Sequence, residues 1–308
     1  MYDIESALTL WLSDRMRRVL HIQSGILDFS REFLKQKEFV EILPVVISPI
    51  TDPLTDHRIR GEVECYGFRY QITKSMIFHK QLSLYSLPRL YTFSPNVRIE
   101  ASECRFSGKH LIEFVQLDLE VKDARREDLL NLGEELFVHI LTRVKADFAA
   151  ELKFFRRDLK IPSIPFRRIT YSEAVESYGL DYDNKLSVSI DEPLWLLDFP
   201  EENREFYDRE NPDRPGILID MDLIYPEGYG EALSGGEREF EYEKIKRRIM
   251  RKGIDFKSYE IYLLFAQKGL LPSAGFGIGI ERLTRYICGI QQIAETRMFA
   301  KLPGVLSL

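Results

Sequence analysis

Cysteine is scarce in this chain: three among 308 residues, at positions 65, 104 and 288. An odd number, wide spacing and no CxxC pair exclude a disulfide framework and a zinc ribbon. A reducing, cytosolic setting is the expectation. No run approaches the roughly 18 apolar residues of a membrane span. The N-terminus, MYDIESALTLWLSD, carries acids where a secretory signal would carry bases. A basic excess is also missing, with 43 Lys and Arg against 49 Asp and Glu and a net charge of −6. Surfaces that grip nucleic-acid backbones are usually basic. The two basic runs, 15–18 and 244–252, read as solvated helix faces. GxxxxGK[ST] is absent, as is GxGxxG with an acid some way downstream, so neither a P-loop nor a dinucleotide fingerprint is present.

What the chain does have is enough apolar matter for a sizeable core: 44% hydrophobic and 30% charged residues. Leu8, Trp11, Leu12, Met16, Val19 and Leu20 fall at helical spacing over 7–20. Ile22, Ile26, Phe29 and Phe33 predict a second helix over 22–37. FVEILPVVI at 39–47 reads as a strand bent at Pro44. The stretch 51–61 reads as a loop, and 62–73 as a hairpin around Tyr66-Gly67. Strands are expected near 90–100 and 113–121, then a long helix over 126–156. The segment 200–216, PEENREFYDRENPDRPG, is too charged and proline-marked to be expected in a core. A strand at 217–225 leads into the glycine-rich GYGEALSGGER. The chain closes on GFGIGIER and a helix at 282–289. Hairpin-linked strands with helices before and between them predict an α+β fold with an antiparallel sheet flanked by helices.

Three segments carry chemistry. In EFVQLDLE, strand alternation puts Val115, Leu117, Leu119 and Val121 on one face and Gln116, Asp118 and Glu120 on the other. Arg98 and Glu100 are expected to share a face of the preceding strand. The paired surface is either a solvated sheet face with cross-strand ion pairs or a site for a ligand with phosphate and ammonium groups. In 228–238, Glu231 and Ser234 are oxygen ligands suited to Mg2+. Arg238 adds a planar fork for a carboxylate or phosphate. A glycine-rich turn is the plainer reading. In 275–282, Gly275, Gly277 and Gly279 share a strand face, with Glu281 expected to continue it. Strand interiors normally avoid glycine, so the three suggest a floor for a planar ligand.

The order of these segments carries more than any one of them. A helix–strand unit around Pro44, Arg98-x-Glu100 with a loop and HLIEFVQLD, then GFGIGIER, resemble motifs one, two and three of class II aminoacyl-tRNA synthetases, in the aspartyl, asparaginyl and lysyl subgroup. The resemblance covers about 22–300. ITDPL, SMIFHKQ, REFYDRE and GYGEALSGGERE look most like archaeal asparagine synthetases related to asparaginyl-tRNA synthetase. The subgroup's anticodon-reading domain has no counterpart before Pro44 or after Arg282, so a single catalytic domain over 1–308 is expected. The resemblance implies an AMP-forming aspartate–ammonia ligase: ATP activates L-aspartate as β-aspartyl-adenylate, and ammonia takes the acyl group. The alternative is a truncated synthetase aminoacylating tRNA or another carrier. A homodimer through motif one is implied, tRNA is not expected as a partner, and no membrane is.

Site residues follow from the same resemblance. Arg98 would hold the α-phosphate and Glu100 the adenine edge, with Phe114 and Arg282 sandwiching the ring. His110 would meet the γ-phosphate or simply cap its strand. Asp222, Glu231 and Ser234 would hold Mg2+. Lys80 and Arg238 would clamp the aspartate side chain, with Ser75, Gln116, Asp118 and Ser234 in the substrate pocket. Arg98, Arg282 and Lys80 are the implied catalytic group. Ile77 and Ser273 depart from the aspartyl pattern, which usually has glutamine and histidine there. AKLPGVLSL lacks the usual arginine-rich ending. Trp11 and Trp195 are expected in the core. His79 is expected to point away from Lys80, and His57 sits in a loop that could close over substrate.

Overall fold

The computed structural model describes residues 4–54 and 61–308. His57 lies outside the described residues. The chain opens with α1 (Ile4–Trp11) and α2 (Asp14–Gln36). The break between them is set at Ser13, whose hydroxyl accepts the Met16 amide and caps α2. The expected pair of helices thus divides at residue 13, not near 21. Trp11 is only half-buried and donates to the Met298 carbonyl.

Two short strands, β1 (Val40–Glu41) and β2 (Ile47–Ser48), replace the single strand expected over 39–47. Pro44 separates them, as a residue without an N–H to give a ladder would. The apolar side chains of Val40, Leu43, Val46 and Ile47 are exposed on this segment. The hairpin is β3 (Glu62–Cys65) and β4 (Phe68–Ile72), which form a small sheet with β2. Next come α3 (Ile77–Ser83), β5 (Arg89–Val97), β6 (Glu113–Lys122), α4 (Arg126–Asp147) and α5 (Ala149–Phe154). The long expected helix breaks at Phe148.

Four further elements follow without a sequence expectation: β7 (Arg167–Thr170), α6 (Tyr171–Tyr178), α7 (Tyr182–Ser189) and β8 (Leu194–Leu197). Then come β9 (Asp220–Tyr225), β10 (Gly230–Glu237), α8 (Tyr242–Arg251), α9 (Glu260–Gly269), β11 (Ser273–Gly279) and α10 (Ile280–Cys288). The glycine-rich run is therefore mostly strand, not turn.

Eight strands form the main sheet, in the order β1-β5-β6-β11-β10-β9-β8-β7. All neighbours are antiparallel except the edge pairs β1–β5 and β7–β8. This is the expected α+β fold. One face, with Leu117, Leu119, Phe276, Leu233, Leu223 and Trp195, packs on α2, α4 and α10 in the principal core. A second core lies beside the sheet, where Phe78, Phe206, Tyr207, Ile245, Ile249 and Tyr262 pack together. Phe206 and Tyr207 are buried inside the segment 200–216, contrary to the expectation from its charge. Among the described residues no helix is long and apolar enough to cross a membrane.

Candidate active site

The polar face of β6 lies against the glycine face of β11. Gln116, Asp118 and Glu120 stand directly opposite Gly279, Gly277 and Gly275. A Cβ on Gly277 would come within 2.9 Å of Asp118 Oδ1, closer than real Cβ contacts allow. A Cβ on Gly275 would collide with the Leu119 carbonyl and the Glu120 carboxylate. The glycines thus make room for side chains of their neighbour strand. Glu281 is not on this face: it sits in the first turn of α10, buried, accepting the Val115 amide at 3.0 Å and pairing with Arg297. Arg98 and Glu100 also lie beyond the end of β5, not on it.

Around the β6 carboxylates two buried cations are fixed. Lys80 Nζ lies 3.0 Å from Asp118 Oδ1 and 3.6 Å from Glu120 Oε2, and also donates to the Leu119 carbonyl at 3.2 Å. Arg238 donates from Nε to Glu120 Oε1 at 3.1 Å, from Nη1 to Asp208 Oδ1 at 3.1 Å and from Nη2 to the Gly275 carbonyl at 2.8 Å. Burial pulls the Arg238 guanidinium down, but Glu120 and Asp208 hold it well above its ordinary value. Both cations therefore face carboxylates of the protein itself.

Metal-ligand candidates are brought together by a bulge. Ser234 pairs with Asp222, and Glu231 with Ile224, because the register of β10 slips between Glu231 and Leu233. Residues three apart on a regular strand point to opposite faces. One extra residue restores Glu231 and Ser234 to the face that carries Asp222. Burial, with the like charge of Glu231, raises the Asp222 carboxyl to about 7 although Arg204 opposes the shift. Burial also pushes Glu231 up, but Arg282, Arg204, Arg98 and Lys109 together hold it below its usual value. Arg204, which the sequence did not single out, pairs with Asp220 at 2.7 Å and Asp222 at 2.8 Å and lies 3.8 Å over the Phe199 ring. Asp222 Oδ1 is buried and makes that ionic contact without a hydrogen bond.

Two clefts with shared lining residues adjoin these side chains. The larger, about 450 Å3, is lined by Ser75, Lys80, Gln116, Asp118, Ser234 and Arg238, and also by Asp52, Arg204, Tyr207 and Asp208. The smaller holds Glu100, His110, Phe114 and Arg282. Arg98, Gln116, Glu231 and Gly277 line both. Arg98 lies 5.0 Å over the Phe114 ring and donates to Gln116 at 3.4 Å. Arg282 Nη1 is 3.2 Å from Glu231 Oε1. His110 Nδ1 is 2.6 Å from the Ser107 hydroxyl. His79 turns from the cleft to Ser48, 2.9 Å away.

With Arg204, Asp52, Tyr207 and Asp208 are cleft residues that sequence reasoning missed. Tyr207 donates to Asp52 Oδ2 at 2.9 Å. The available signal was an aromatic pair, Phe206-Tyr207, embedded in a run of charges.

The sequence matches the family description "tRNA synthetases class II (D, K and N)" over residues 4–303. The chain belongs to that family. It is 30% identical over 310 residues to an asparagine–tRNA ligase of Pelotomaculum thermopropionicum, covering 95% of this chain and 71% of that protein. An asparagine–tRNA ligase of Symbiobacterium thermophilum is 31% identical over 322 residues, with the same coverage of 95% and 71%. The crystal structure of asparaginyl-tRNA synthetase from Pyrococcus horikoshii complexed with asparaginyl-adenylate superposes with a TM-score of 0.89 at 26% identity, covering 96% of this chain and 70% of that one.

These findings correct the functional expectation. The proteins this chain resembles are named asparagine–tRNA ligases, not aspartate–ammonia ligases. Asparagine biosynthesis from aspartate and ammonia loses its support, and so does the expectation that tRNA is no partner. The similarity is to the catalytic core of the D, K and N synthetases, near the asparaginyl type. It does not narrow to asparagine synthetases or to an archaeal source.

Proposed function

We propose that the chain activates L-asparagine with ATP as the aminoacyl-adenylate and passes the acyl group to the terminal ribose of a tRNA. The observation that carries the amino-acid choice is the state of Lys80 and Arg238. Each is held by the protein's own carboxylates, Asp118 and Glu120 in one case, Glu120 and Asp208 in the other. In the larger cleft acids outnumber bases six to four. A second carboxylate on the substrate would add charge to a site already in anionic excess, whereas a side-chain amide adds none and can both donate and accept.

The larger cleft suits the amino acid and the smaller one the nucleotide. Asp118, with Oδ2 buried and without a hydrogen-bond partner, would receive the substrate ammonium, with Gln116 beside it. Arg98, shared by both clefts, would meet the α-phosphate where the substrate carboxylate attacks. Glu100 would accept from the adenine edge, and Phe114 and Arg282 would flank the ring. Such chemistry depends on alignment and charge neutralisation and needs no protein nucleophile. Mg2+ fits the Asp222, Glu231 and Ser234 set, because burial and the neighbouring Glu231 charge disfavour the Asp222 carboxylate, and a divalent cation would relieve both. When bound, it would neutralise phosphate charge. Among the described residues no three His, Cys, Asp or Glu side chains form a metal cluster, so the hydroxyl and nucleotide phosphates would complete the coordination.

ATP–pyrophosphate exchange tests the activation step. Exchange supported by L-asparagine well above that with L-aspartate is the expected result. Exchange with aspartate alone would overturn the amino-acid assignment.

A further inference from the structure

Arg248, on α8, is 1% exposed and forms no ion pair among the described residues. Its guanidinium instead donates to two main-chain carbonyls. Nη1 reaches Asp208 O, and Nη2 reaches Glu205 O at 2.8 Å. Burying a guanidinium against neutral acceptors alone is costly, and an apolar side chain would serve a core better. The neighbours on its helix, Ile245 and Ile249, do fill that core.

The two carbonyls bracket Phe206-Tyr207, the turn that forms one wall of the larger cleft. Glu205, Tyr207 and Asp208 all line it. Asp208 then holds Arg238, and Tyr207 reaches Asp52. None of the three lines the smaller cleft. Arg248 itself lines neither. It grips the backbone behind the wall at both ends, and the side chains in front take their direction from that backbone.

We infer that Arg248 is a positioning residue for the amino-acid cleft and not for the nucleotide cleft. The inference rests on the reading of the larger cleft as the amino-acid site. A displacement of about 1 Å in such a wall can cost up to about a hundredfold in reactivity.

The test is ATP–pyrophosphate exchange with wild type, Arg248→Met and Arg248→Lys, varying L-asparagine and ATP separately. Arg248→Met should raise the asparagine KM about tenfold or more while the ATP KM stays within about twofold, with Arg248→Lys between. A residue that only stabilises the fold would move both constants together, or neither. Wild-type exchange with unchanged asparagine KM in Arg248→Met, or equal rises in both constants, overturns the inference and leaves the proposed function standing. Absence of wild-type exchange with asparagine overturns the function and the inference with it. Should Arg248→Met fail to fold by circular dichroism, Arg248→Lys decides. Should Arg248→Lys also fail to fold, the residue is a folding determinant and the positioning role is refuted.

Discussion

Gly277 stands opposite Asp118 in the β6–β11 pair, and the space its missing Cβ leaves is where Asp118 Oδ1 sits, 3.0 Å from Lys80. Gly277→Ala should push that oxygen aside and loosen the buried pair. The expected loss of stability is about 1–3 kcal/mol, the usual range for overpacking a tight site. Urea denaturation measures it, and the amino-acid KM in the exchange assay should rise with it. An alanine variant indistinguishable from wild type in both would show that the glycine has no such role.

Lys80→Met should be more damaging. It removes the cation from a pocket where Asp118 is 3% exposed and Glu120 fully buried. Removing one partner of a buried ion pair costs roughly 3–5 kcal/mol. Adding Asp118→Asn should recover part of the loss, because the two groups are in contact and their effects do not add. Denaturation of the two variants side by side measures the recovery.

Arg282→Ala makes the opposite prediction for stability. Its pair with Glu231 is partly exposed, with side-chain exposures of 28% and 41%, so the change should cost less than about 1 kcal/mol. Activity should fall roughly a hundredfold, the usual effect of losing one preorganised contact to a reacting anion. Near-normal exchange in a folded Arg282→Ala protein would remove this residue from the nucleotide site.

Asp222 gives the protein a pH signature. Its carboxyl titrates near 3.8 when exposed and at about 7 in the fold, chiefly through burial. The folded state therefore holds a proton that the unfolded chain releases. Its contribution to stability is full below the unfolded value and is lost as pH rises through the folded one. Mg2+ selects the deprotonated form, so the stabilisation it confers should grow over the same interval. Thermal unfolding between about pH 5 and 8, with and without Mg2+, should show both trends, and Asp222→Asn should flatten both.

The sheet was legible where alternation was regular. Gln116, Asp118 and Glu120 could be put on one face of β6, and three glycines on one face of β11, from spacing alone. That these two faces stand against each other could not be read, since register is a property of two strands. Glu231 and Ser234 could be named as a pair, but their common face depends on a bulge that spacing contradicts. Asp52, Arg204, Tyr207 and Asp208 were hidden because their segments look like solvent-exposed loops. The burial of Asp52, Tyr207 and Asp208 accompanies Phe206 reaching the core beside Phe78, a contact of high sequence separation. What Lys80 meets was equally hidden, because a lysine in sequence carries no record of Asp118 and Glu120 already holding it.

Aminoacylation of tRNA with asparagine is measured by a charging assay. The protein is incubated with ATP, Mg2+, radiolabelled L-asparagine and total tRNA, and acid-precipitable label is counted before and after mild base, which cleaves aminoacyl esters. Asparagine-dependent, base-labile label on tRNA is the predicted result. No label on tRNA in a preparation that carries out ATP–pyrophosphate exchange would contradict the account.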